Sequence, residues 1–192
     1  MPISETFSIL AGIAFLVSSI LYVRDTAKAR IKPSIATFGI LSLVNFSQLL
    51  SLISKHVWHV VPFTTVGLLQ ALVVFIIAVR GKRFYFRFAD KLALAGALIG
   101  FIVWLLTKNA AYNIYIINAV TTITFIPLII KAFKEPALET KAPWQTNLLA
   151  STLLVLAINS SSPYVWIIPV RQFTISLLIN VGLLRPSGKK QQ

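Results

Sequence analysis

Arg171 and Gln172 stand side by side in YVWIIPVRQFTISLLINVGLL, residues 164–184, a stretch otherwise almost wholly apolar. A guanidinium carries a permanent charge and five donors in a planar fork. In such surroundings its chemistry is recognition: of backbone carbonyls, amides, water or an anionic group. Arg171 is the seventh residue counted from Val165. At 1.5 Å per residue it lies roughly 10 Å below the outer boundary of a spanning helix. Two readings follow. The side chain snorkels to the outer headgroups, or it faces a cavity and meets a polar or anionic solute with Gln172 or Asn118 beside it.

Other polar side chains interrupt the apolar runs at helical spacing. Asn45 and Gln48 are three apart and share a face, Asn118 and Thr122 are four apart, and Ser176 and Asn180 share a face with Gln172. Gln70 stands alone among apolar neighbours. Amides offer donors and acceptors together, which suits a neutral solute such as a sugar or nucleoside and equally suits bonds between helices. The candidate solute-binding set is therefore Asn45, Gln70, Asn118, Arg171, Gln172 and Asn180. Pro127 and Pro169 free backbone carbonyls inside apolar runs and are candidate hinges or tolerated kinks. Intramembrane serines and threonines are expected to bond their own helices.

Catalytic chemistry finds little support. His56 and His59 have i, i+3 spacing but no acidic or cysteine partner nearby, so no metal site is expected. The five acidic residues, Glu5, Asp25, Asp90, Glu135 and Glu139, all fall outside the apolar runs. No intramembrane carboxylate is then available for a proton relay or a protease dyad. The last run has no lysine for a retinal Schiff base. The expectation is a protein without enzymatic activity and without a cofactor.

The elements that position these residues follow from composition. Hydrophobic residues make up 57% of the 192-residue chain and charged ones 12%. So much apolar surface has no soluble interior to fill, which makes a bilayer the expected solvent. The continuous apolar runs exclude the alternating pattern of a barrel and predict an all-α membrane protein. Seven transmembrane helices are expected, at about Phe7–Val23, Ile35–Ile53, Val60–Val79, Leu92–Leu106, Ala110–Ile130, Pro143–Ile158 and Val165–Leu184. The start lacks a basic n-region, so the first run is expected to stay as a helix. There is no cysteine, hence no disulfide framework.

Fifteen basic residues fall in alternate connections and the tail, against Lys55 and Lys108 on the other side, with Arg171 making up the 18. The positive-inside rule then predicts a multi-pass cell-membrane protein, N-terminus outside and C-terminus cytoplasmic. The net charge of +13 reads as topology and attraction to anionic lipid headgroups, with no nucleic-acid partner expected.

A weak internal repeat is visible. ILYVRDTAK (20–28) lines up with PLIIKAFKE (127–135), a basic loop follows each, and Pro33 or Pro143 opens the next helix. The expected organisation is one transmembrane domain, 1–192. It holds a triple-helix repeat at about 3–80, a linker helix at about 91–107 and a second repeat at about 110–185. The intervening helix keeps the two three-helix bundles parallel (3+1+3).

That layout, with YVRDTAKARIKPSIATFGILSLVNFSQLL and ITFIPLIIKAFKEP, resembles the SWEET and PQ-loop superfamily of membrane proteins. The characteristic proline–glutamine pair is missing: Leu128 follows Pro127, and Ile20 stands at the matching place in the first repeat. Phe38 and Leu41 stand where many relatives have tryptophan. The resemblance implies a facilitator moving a small polar solute by alternating access. A receptor on the same fold and a lipid-interacting structural protein are the alternatives. A homo-oligomer stays open as a partner.

Overall fold

The computed structural model describes residues 3–31, 33, 35–81 and 88–185. Lys32, the basic stretch 82–87 and the tail from 186, which carry part of the charge asymmetry, lie outside the described residues. The described chain is all-helical, with no strand. Its α-helices are α1 (Ile3–Ala27), α2 (Ile35–Ser54), α3 (Val61–Arg80), α4 (Phe88–Thr107), α5 (Ala110–Lys134), α6 (Lys141–Leu156) and α7 (Pro163–Leu183). Short 3-10 turns occupy Trp58–Val60 and Pro136–Leu138. Segments within α1, α2, α3, α5 and α7 are long and apolar enough to cross a membrane.

The helices overrun the apolar stretches that announce them. α1 begins four residues before Phe7 and continues through Arg24 and Asp25, and α5 continues through Lys131 and Lys134. Hydropathy falls where charge begins, but a helix does not stop there. Cations suit a helix C-terminus, and their long stems reach water from within it. Asp25 is consequently a residue of α1, only 1% exposed, with Arg24 and Arg30 at 3.2 and 3.4 Å from Oδ1. It does not lie outside the helix, as its position beyond the apolar run suggested. α7 starts at Pro163, whose missing N–H suits the first turn.

Two helices end in Schellman turns without glycine. Arg30 N–H reaches Asp25 O and Ala29 N–H reaches Thr26 O after α1; Val57 N–H reaches Leu52 O and His56 N–H reaches Ile53 O after α2. Ala29 and His56 hold φ of 54° and 56°. His56, considered above as a ligand, serves here as a turn residue.

Polarity is distributed inside out. Gln48, Asn113, Asn118, Asn147 and Gln172 are buried, whereas Leu69, Ile76, Ile102, Leu105 and Ile126 are exposed. In lipid this is the economical arrangement, because apolar side chains lose nothing at the surface and polar ones find partners inside.

The packing order forms a closed circuit. α1 packs on α3, α3 on α2, α2 on α5, α5 on α7, α7 on α6, and α6 back on α1. α4 stands outside this ring, against α5 and α2. Two apolar clusters lie towards opposite ends of the ring. Leu52, Val57, Val60, Ile114, Val165 and Ile168 join the α2–α3 turn to the starts of α5 and α7. At the end bearing the basic connections, Tyr22, Ile31, Trp144 and Leu183 pack in a second cluster.

Candidate functional site

The ring encloses a cavity of about 210 Å³, walled by side chains of α1, α2, α3, α5, α6 and α7 and, among the described residues, by none from α4. Its wall runs from Phe63, Thr64 and Ile168, near the starts of α3 and α7, to Pro33, Lys131 and Glu139 at the basic end. Beyond Ile168 the apolar cluster around Leu52 and Val60 closes the other end.

Helical spacing delivers the polar wall. Asn45 and Gln48 come from one face of α2; Thr64, Gly67 and Gln70 follow every third residue on α3; Arg171 and Gln172 come from α7. Most of these side chains are held by a neighbour. Ser19 Oγ donates to Gln70 Oε1 at 2.8 Å, Gln48 Nε2 donates to Thr64 Oγ1 at 3.4 Å, and Gln172 Nε2 donates to Asn147 Oδ1 at 3.4 Å. An aromatic group gathers towards the basic end. Tyr22 lies 5.8 Å from Phe38 and 6.3 Å from Trp144 between ring centroids, and Phe125 packs edge-on to Trp144 at 6.5 Å.

Several buried polar atoms on this wall have no partner among the described residues: Gln48 Oε1, Trp144 Nε1, Glu139 Oε2, and Nε and Nη1 of Arg171. Such atoms cost roughly 1–3 kcal/mol each when left unpaired, and more when charged, so they mark a place where a polar occupant is favoured. Arg171 lines the cavity, with Nε and Nη1 buried, which is the placement the second reading of its position requires.

Of the residues singled out from sequence, Asn45, Gln70, Arg171 and Gln172 line the cavity, and so does Pro127. Asn118 does not. It is 2% exposed and donates through Nδ2 to Ile114 O, one turn back on its own helix. Asn180 is also outside the cavity lining, because Nδ2 is spent on Trp144 O and Ser176 O, both at 2.8 Å. Pro169 is buried within α7 and does not line the cavity either. Spacing shows that Gln172, Ser176 and Asn180 share a face. It does not show that this face turns onto α6 below Gln172.

Glu139 was missed altogether. It belongs to the connection after α5, yet it lines the cavity, with Oε1 at 2.7 Å from Lys131 Nζ. Glu139 does fall outside the apolar runs, but lying outside a run does not keep a carboxylate from the cavity wall. The 3-10 turn Pro136–Leu138 folds the chain back against α5 and α7, a contact with no local signature. Trp144 was legible only as a residue of a short helix, and Asn147 only as one of the polar interruptions of that helix. Compared with known proteins, the chain matches no family model, no curated protein and no solved structure.

Proposed function

We propose that this protein is a seven-helix membrane carrier that moves a small polar solute through the central cavity by alternating access. In this reading α1–α3 and α5–α7 are parallel triplets, α4 is the linker, and the basic connections face the cytoplasm. The order of contacts favours it. Exchanging α1 with α5, α2 with α6 and α3 with α7 maps the ring onto itself. Pro62 and Pro163 open α3 and α7, and eight residues beyond each stand Gln70 and Arg171, both on the cavity wall. Duplicated carriers place their solute at such an interface between repeats. The SWEET-like and PQ-loop-like resemblance belongs to the same proposal.

The observation that carries the reading is the set of unpartnered polar atoms on a wall built by six helices from both triplets. A cavity kept only for packing would be apolar and dry. Reconstituted proteoliposomes loaded with labelled sugars, polyols, amino acids and organic acids test it. Saturable flux of at least one class is expected. Binding without flux would make the protein a receptor, and neither binding nor flux would remove the proposal.

A further inference from the structure

The wall is not evenly matched in donors and acceptors. Arg171 brings five donors, and two of its nitrogens are buried without a partner among the described residues. Gln70 accepts from Ser19 on Oε1, so its NH2 group remains to donate. Asn147 accepts from Gln172 on Oδ1, and its NH2 group likewise remains. Trp144 Nε1 adds another unpartnered donor. Against these, Gln48 Oε1 is an unpartnered acceptor on the α2 side of the wall. Glu139, a carboxylate on the lining, is engaged by Lys131 at the far end of the cavity from Arg171. A polyol would bring donors and acceptors together and leave the guanidinium charge uncompensated in a low-dielectric interior, where that is costly.

We propose that the solute is a small organic anion, its carboxylate held on the planar fork of Arg171 and its remaining polar groups on Gln70, Asn147 and Gln48. This rests on the carrier reading above and names its substrate class. A carboxylate matches the fork with two parallel bonds, which an ammonium of equal charge does not reproduce. The cavity of about 210 Å³ confines the choice to molecules of a few carbons up to about the size of a sugar acid.

The test uses the full chain in phosphatidylcholine nanodiscs, with binding read by calorimetry and flux read in liposomes of the same lipid. The probes are two matched pairs, glycerate against glycerol and gluconate against glucose. At least one acid is expected to bind about tenfold or more tightly than its neutral partner. Arg171→Lys should weaken acid binding about tenfold, and Arg171→Gln should erase the preference while leaving weak neutral binding in place. Circular dichroism establishes that both variants fold; Arg171→Gln removes an unpaired buried charge and is expected to fold at least as well as the parent.

Tighter binding of the neutral partners, or an acid preference that survives Arg171→Gln, would overturn the anion assignment and leave the carrier standing. If none of the four probes binds or moves, the anion assignment falls; the carrier reading falls with it only if the wider panel of sugars, polyols, amino acids and organic acids shows neither binding nor flux. Repeating the titration with phosphatidylglycerol added separates the sources of the anionic group. An Arg171-dependent lipid that excludes the acids would make a headgroup the occupant and overturn the small-solute assignment.

Discussion

Asn113 and Asn45 are amides on neighbouring helices, and their surroundings assign them different work. Asn113 is fully buried; its Nδ2 donates to Ser47 Oγ at 2.9 Å and Ser51 Oγ at 2.6 Å, joining α5 to α2. Asn45 lines the cavity, and its side chain makes no hydrogen bond to a described residue. Asn113→Ala should therefore lower stability by about 1 kcal/mol, within the range of hydrogen bonds between membrane helices, measured by unfolding in a denaturing detergent. Asn45→Ala should leave stability within about 0.5 kcal/mol of the parent and weaken solute binding. Equal losses of stability in the two variants would contradict the division. Sequence showed both as polar interruptions of apolar runs. It could not rank them, because the partners of Asn113 lie 62 and 66 residues away. The same limit explains why Arg171, Gln172, Asn118 and Asn180 stood together as candidates, although Asn118 and Asn180 are spent on main-chain carbonyls.

Among the elements, the turns and the paired helices α3 and α7 carry consequences. His56 closes α2 in the left-handed region, where a side chain costs about 1–2 kcal/mol relative to glycine. His56→Gly should raise stability by about 0.5–1 kcal/mol, less than the full strain because glycine also frees the unfolded chain. A thermal melt in detergent reads this, and a lower melting temperature would mean that the ring, 6.1 Å from Trp58, matters more than the turn.

The existence of each helix was legible from its apolar run. The ends were not, because charged residues continue the helices beyond the runs, and the closure of the ring was not either. If α3 and α7 are repeats, Gln70 and Arg171 occupy matching stations on one cavity. Exchanging them, Gln70→Arg with Arg171→Gln, should restore acid binding to within about tenfold of the parent, whereas Arg171→Gln alone loses it. Failure of the folded double variant to recover any preference would remove the equivalence.

For the whole molecule, orientation is the claim with the most direct test. Ala137 lies in the connection between α5 and α6, at the basic end, and Ser161 lies in the connection between α6 and α7, at the other; both are exposed. The chain has no cysteine, so single Cys variants at these sites report without background. Ser161→Cys should label from outside intact cells with an impermeant maleimide, and Ala137→Cys only after permeabilisation. The reverse pattern would invert the proposed topology, and labelling from one side at both would break it.

The hydrogen bonds between helices have a bearing on synthesis. Ser19 with Gln70 and Gln48 with Thr64 bind α1, α2 and α3 to one another; Gln172 with Asn147 and Asn180 with Trp144 O bind α7 to α6. A ribosome delivers the first three helices to the bilayer while the other side of the ring does not yet exist. Their polar side chains would face lipid tails during that interval, at a cost, unless they already had one another. The internal bonds let the half-made protein wait in the membrane. Arg171, whose Nε and Nη1 have no partner among the described residues, emerges on α7, when the other helices of the wall are already in place.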